Sequence, residues 1–219
     1  MSNKIAVLVS GGGRSLENLA KLQASGELNG EIALVLSSRE SALALKRASR
    51  LNIPSLVLDS ERAMTPEEFS SRAFAAIEAA ECTLAVLAGF LRYLPIPSDW
   101  EGRVLNIHPS LLPAFGGKGY YGDKVHAAVL ADGAKHTGCT VHYVDNIYDN
   151  GPVAVQRTIE VNAGDTVESL GGRVFQEEII ALPEAINRHF ALLEGERNLS
   201  EGLVGNFLFG HEGSPVPAQ

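Results

Sequence analysis

Ile5-Ala6-Val7-Leu8-Val9-Ser10-Gly11-Gly12-Gly13-Arg14-Ser15 is the stretch on which the fold turns. The apolar run Ile5–Val9 has no alternating polar face, so it predicts a strand buried on both sides. A cluster of glycines ends it. Leu16, Leu19, Ala20 and Leu22 follow at helical spacing. Strand, tight glycine turn and helix together make the first part of a βαβ unit.

The pattern repeats outward. Residues 32–36 predict a second buried strand, and Ala42, Leu43, Ala44, Leu45 and Ala48 a second helix. Strands follow at 55–58, 84–88 and 104–106, with a helix from Pro66 to Ala80 that has proline near its start. Alternation of this kind predicts an α/β fold with a doubly wound, mostly parallel sheet. A short helix is expected around Ala127 to Leu130. Strands at 140–144 and 153–161, separated by the turn Asp149-Asn150-Gly151-Pro152, predict an antiparallel C-terminal extension. Thr166 is a cap candidate for a long helix reaching Leu193. One domain is expected over 1–195, with a phosphate-binding half (1–100) and a catalytic half (101–195). The stretch 196–219, with Gly210, Gly213, Pro215 and Pro217, is expected to be an irregular tail.

The chain has 219 residues and a net charge of −8, with 45% hydrophobic and 20% charged residues. Such an acidic balance disfavours a general nucleic-acid binder, which needs Lys and Arg against phosphates, but leaves room for a small anion in a local positive pocket. Cys82 and Cys139 lie in apolar surroundings and outside any CxxC spacing, so buried free thiols in a reducing compartment are expected. The apolar run near the N-terminus is too short for a signal peptide or a membrane span, and a cytoplasmic protein is expected.

At the glycine turn, backbone N–H groups and the start of a helix favour an anion, and Arg14 adds a charge that can hold a phosphate by two hydrogen bonds. Leu16 occupies the third glycine position of a dinucleotide fingerprint, and Leu36-Ser37-Ser38 offers no acid for a ribose hydroxyl. No Gly-Lys-Ser/Thr follows either. The loop therefore reads as a monophosphate cradle, with a merely tight βα turn as the alternative.

Asn106-Ile107-His108-Pro109-Ser110 leaves the C-terminal end of a buried strand, where doubly wound sheets hold ligands. Asn106 and His108 are two apart, so on an extended chain they project to one side. An amide and an imidazole converging on one point can stabilise an oxyanion. Asp149 is a candidate partner that would raise the imidazole pKa and keep it a proton donor; as a turn residue it has a second explanation. Ser110 has no nucleophile elbow around it. His126, His136 and His142 lack metal-ligand spacing, and no metal is expected. Lys118, among the glycines of 115–122, belongs to a flexible lid or to a solvated loop.

The segment Asn106-Ile107-His108-Pro109-Ser110-Leu111-Leu112-Pro113 resembles the signature of the folate-dependent formyltransferases. Leu87-Ala88-Gly89-Phe90-Leu91-Arg92, Gly138 to Val144 and Asp149-Asn150-Gly151-Pro152 fit in order, and the likeness runs from Lys4 to about Phe190. It implies a Rossmann-like fold and transfer of the formyl group of 10-formyltetrahydrofolate. Within the family it is nearest to members that formylate the amine of glycinamide ribonucleotide in purine synthesis. No nucleic acid or membrane partner is implied, and the family includes monomers and homodimers. Members that act on tRNA carry a further C-terminal domain, and deformylases an N-terminal regulatory one, for which little room is expected.

The resemblance implies roles position by position. Asn106, His108 and Asp149 match the catalytic trio, with protonated His108 and Asn106 stabilising the oxyanion. Gly13, Arg14 and Ser15 match the phosphate loop, and Glu178 the contact to the glycinamide amine. Leu91, Arg92, Tyr93 and Leu94 match the folate wall, and the stretch from Asp145 to Asp149 the loop over the pterin. Departures are Gly12 and Arg14 in the glycine loop, the longer connection 115–122, Asn150 after Asp149, and Pro66 at a position often basic. A formyltetrahydrofolate hydrolase using water, a non-enzymatic nucleotide-binding module and, less well matched, a dehydrogenase are the rival readings.

Overall fold

A computed structural model describes residues 3–58 and 64–208. Strand β1 (Lys4–Val9) feeds helix α1 (Arg14–Ser25), then β2 (Glu31–Ser37), α2 (Leu43–Arg50), β3 (Ser55–Val57), α3 (Pro66–Ala79), β4 (Leu84–Leu87) and β5 (Val104–His108). Helix α4 (Asp123–Asp132), strands β6 (His136–Tyr143) and β7 (Val153–Glu160), and helix α5 (Val167–Leu208) complete it. The seven strands form one sheet in the order β3-β2-β1-β4-β5-β6-β7. Pairing is parallel from β3 to β5 and antiparallel for β5–β6 and β6–β7, as the sequence pattern predicts.

The continuous apolar run of β1 is explained by two cores. Ile5, Val7 and Val9 join Leu16 and Leu19 of α1, Val125 and Val129 of α4 and Leu170, Ile186 and Phe190 of α5. Ala6 and Leu8 face the other way, against Phe69, Phe74 and Ile77 of α3 and Trp100. Each large apolar side chain so buried contributes about 1.5–3 kcal/mol. Thr65 and Glu68 form a capping box at the start of α3, with Pro66 in its first turn, so Pro66 has a helix-starting role.

The irregular tail expected from residue 196 is corrected in part: α5 continues to Leu208, and 209–219 lie outside the described residues. Gly202 and Gly205 are isolated among helix formers such as Glu201 and Leu203. Each glycine costs about 1 kcal/mol against alanine but does not stop a helix. Pro183 also lies inside α5. It has no N–H for the carbonyl of Ile179, and the side-chain amide of Asn18 on α1 donates to that oxygen instead, at 2.9 Å. Among the described residues no helix is long and apolar enough to cross a membrane.

The strand order reverses between β1 and β4, so the loops leaving their C-terminal ends diverge and open a crevice. Gly13 shapes one wall. It has φ 76° and caps α1, and a Cβ there would stand 2.6 Å from the Cβ of Ala44, so only glycine fits.

Buried His189 links the fold to pH. Its Nδ1 meets the Tyr143 hydroxyl at 3.1 Å, its Nε2 has no hydrogen-bond partner, and burial, aided by the charge of Arg103, pulls its pKa below the ordinary value. The neutral ring is therefore favoured in the fold, and its contribution is complete above about pH 6.5 and lost as pH falls below that. His189→Phe is expected to flatten the fall of Tm between about pH 6.5 and 5, measured by thermal melts of variant and parent. Parallel pH slopes would count against this.

Candidate active site

Strand pairing builds the site. Asn106 and His108 lie on β5, and the antiparallel register sets Asn106 opposite His142 and His108 opposite Thr140. The sequence pattern ends β5 at Asn106, whereas the strand runs through His108, fixing both side chains by the pleat. Asp149 follows in the loop between β6 and β7 with φ 51°, a left-handed conformation that Asp tolerates better than most residues. Gly151 lets this loop fold back, since a Cβ there would come within 1.9 Å of the Tyr143 carbonyl oxygen.

The pair inferred from sequence is assembled. Asp149 Oδ2 lies 3.6 Å from His108 Nδ1, and its Oδ1 lies 3.7 Å from His142 Nε2. The Gly117 N–H donates to Asp149 Oδ2 at 2.8 Å. His142 Nδ1 donates to the Tyr143 carbonyl at 3.0 Å, so in the neutral ring its Nε2 accepts from the Asn106 amide, also at 3.0 Å. One N–H of Asn106 is thus held by His142, leaving the other to project. His108 Nε2 donates to the Phe115 carbonyl at 2.9 Å, and in the neutral ring Nδ1 presents its lone pair towards Asp149.

The charge state expected for His108 is corrected. Its residue is 4% exposed, and burial pulls the imidazole below its ordinary pKa, although Asp149 and the Phe115 carbonyl push it up. Desolvation outweighs the nearby carboxylate, so the ring is neutral near pH 7. Burial also pushes the Asp149 carboxyl up, but His142, His108 and the Gly117 N–H together hold it below its ordinary value. The result is a carboxylate beside an imidazole that can accept a proton.

Two clefts flank this cluster. The first, of about 480 Å³, is lined by Leu91, Arg92, Tyr93, Leu94 and Asp145 together with Asn106, His108 and Asp149. Arg92 Nη2 donates to the Met64 carbonyl at 2.8 Å, and Tyr93 stacks near Tyr148 with ring centroids 5.2 Å apart. Lys118, Tyr120 and Tyr121 of the glycine-rich connection also line it, whereas Pro66 does not. The second cleft, of about 410 Å³, is lined by Gly13, Arg14 and Ser15 on one side and Glu178 on the other. Burial raises the Glu178 pKa to about 7, against the pull of Arg14. Gly89, Ile107, Pro109 and Gly122 line both clefts, so the spaces adjoin beside His108.

Every site residue inferred from sequence lines one of the two clefts. Ser110 turns inward, its hydroxyl donating to the Ala114 carbonyl at 2.6 Å, which gives it a structural role. His142 is the participant that sequence spacing passes over. Its signal is the two-residue step Thr140-Val141-His142, which puts it on the same face as Asn106 once the register is known. Cys82 and Cys139 are buried free thiols, and burial pushes them up to about 11 and about 12, leaving them unreactive. Among the described residues no group of three or more His, Cys, Asp or Glu is arranged to hold a metal ion.

Fold and site together define a doubly wound α/β protein with two clefts that adjoin beside an Asn-His-Asp cluster. Residues 3–186 match the family described as formyl transferase, and the chain belongs to that family. The chain is 38% identical over 181 residues to a chloroplastic phosphoribosylglycinamide formyltransferase of Vigna unguiculata, covering 80% of this chain and 57% of that protein. It is 40% identical over 185 residues to the trifunctional purine biosynthetic protein adenosine-3 of Gallus gallus, covering 84% of this chain and 18% of that protein. A crystal structure of glycinamide ribonucleotide transformylase 1 from Symbiobacterium toebii superposes with a TM-score of 0.79 at 36% identity, covering 84% of this chain and 86% of that one. The chain thus spans little more than half the length of the first of these curated relatives.

Proposed function

We propose that the chain is a folate-dependent phosphoribosylglycinamide formyltransferase, passing the formyl group of 10-formyltetrahydrofolate to the amine of glycinamide ribonucleotide. The observation that carries this reading is the junction of the two clefts beside His108. The first, with its aromatic and apolar wall, suits the folate. The second suits the ribonucleotide, with its phosphate at Gly13, Arg14 and Ser15 and its amine near Glu178. The buried free thiols fit a reducing compartment such as the cytoplasm.

In this reading the amine attacks the formyl carbon, and the formyl oxygen takes negative charge. The free N–H of Asn106 is the donor to that oxygen, worth on the order of 3 kcal/mol in such chemistry. His108 Nε2–H stays on the Phe115 carbonyl, which holds the ring with Nδ1 towards Asp149. His108 Nδ1, facing Asp149, takes the proton shed by the new C–N bond's nitrogen and returns it to N10 of the folate as the old C–N bond breaks. No covalent enzyme intermediate and no metal enter these steps.

A spectrophotometric assay of folate release tests the reading. Release that depends on the ribonucleotide supports it, while formate production without the ribonucleotide would favour the hydrolase. Glu178 adds a pH test. With its pKa at about 7, the carboxylate that accepts from the amine is present above neutrality, so KM for the ribonucleotide is expected to fall as pH rises through 7. Glu178→Gln is expected to raise KM about tenfold, a lost charged hydrogen bond, and to remove that inflection. Persistence of the inflection in the variant would assign it to another group.

A further inference from the structure

The second cleft carries more acid than base. Asp123, Glu168 and Glu178 line it, and among the described residues Arg14 is the only Lys or Arg that does. A phosphate held by the backbone N–H groups of the glycine turn meets three acidic side chains there and one guanidinium, so the position of that guanidinium weighs heavily on the outcome. Arg14 is the first residue of α1, on a glycine turn whose own side chains hold nothing in place. What holds it lies on another element. Its guanidinium carbon sits 3.9 Å from the ring centroid of Phe175, on α5. Phe175 lines the same cleft, one helical turn from Glu178.

We propose that Phe175 is the positioning residue of the phosphate clamp, a role that rests on the ribonucleotide assignment of the second cleft. Stacking on the ring face leaves the N–H edge of a guanidinium free, since the cation–π contact uses the plane and hydrogen bonds use the rim. The contact therefore fixes Arg14 without consuming the donors a phosphate needs. It also keeps the guanidinium out of a closed ion pair with Glu178: among the described residues Glu178 has no hydrogen bond from Arg14, although the charge of Arg14 is felt there. A single ring thus keeps the cation available to the anion and apart from the carboxylate that faces the amine.

The test uses the full chain and two readouts, binding of ribose 5-phosphate by calorimetry and steady-state formyl transfer. Phe175→Leu keeps an apolar side chain and removes the π face. It is expected to weaken ribose 5-phosphate about three- to tenfold, the range of a partly desolvated cation–π contact, and to raise KM for the ribonucleotide by the same factor. kcat and KM for the formyl donor should stay within about twofold, and Phe175→Tyr should restore binding. In an Arg14→Ala background, Phe175→Leu should cost nothing further. Unchanged ribose 5-phosphate affinity in Phe175→Leu, or an equal loss in the Arg14→Ala background, would overturn the proposal, the latter showing that the ring acts through packing alone. Failure of the parent chain to bind ribose 5-phosphate overturns it as well. Failure of the parent to transfer formyl groups while ribose 5-phosphate binding follows the expected pattern overturns the formyltransferase reading and leaves the clamp standing.

Discussion

Replacing His108 with alanine is expected to lower kcat for formyl transfer by about two to three orders of magnitude, the loss typical of a positioned general base. The ring supplies the Nδ1 that takes the amine proton and passes it to N10 of the folate, while its Nε2–H is spent on the Phe115 carbonyl. The substitution also leaves the Phe115 carbonyl without its donor and opens a small space beside β5. Stability is therefore measured alongside, by circular dichroism and thermal melting. Binding of ribose 5-phosphate is a cleaner control, because the glycine turn that would hold it belongs to β1 and α1. A variant that binds ribose 5-phosphate like the parent but turns over normally would end the proposed mechanism.

Asp149→Asn is expected to cost about a hundredfold in kcat. The amide keeps an oxygen for the Gly117 N–H and tolerates the left-handed backbone at φ 51°, so the loop is retained and the charge is lost. Burial already pulls the His108 pKa down, and the Asp149 charge is the main effect pushing back. Without it the ring becomes a weaker base, and the remaining activity has its acid limb at lower pH than the parent. Measuring kcat at saturating ribonucleotide keeps the Glu178 titration in KM and out of this profile. An acid limb that stays in place would show that Asp149 acts on something other than His108.

Much of the site was legible before any tertiary information. Glycines after one apolar run and an Asn-x-His step after another are local patterns, and each marks the end of a buried strand. Glu178 and the Leu91–Leu94 wall came through the family resemblance, since nothing in their local sequence sets them apart. His142 was passed over because its partner is 36 residues away and only the antiparallel register brings the two together. The charge of His108 departs from the sequence expectation for a related reason. A neighbouring acid can be guessed from sequence, but the desolvation that outweighs it depends on how much of the chain closes over the ring.

By itself the sequence determined the order of strands and helices, because the periods of its apolar residues are set by backbone geometry within each element. It also placed a glycine cluster and an Asn-x-His step at the ends of buried strands. The tertiary structure decided what those ends face. It joined two clefts at His108, set Asn18 under the carbonyl that Pro183 leaves open, and laid Arg14 on Phe175 from the far end of the chain. Such contacts depend on long-range packing and on the local loss of water, and neither is written in the spacing of neighbouring residues.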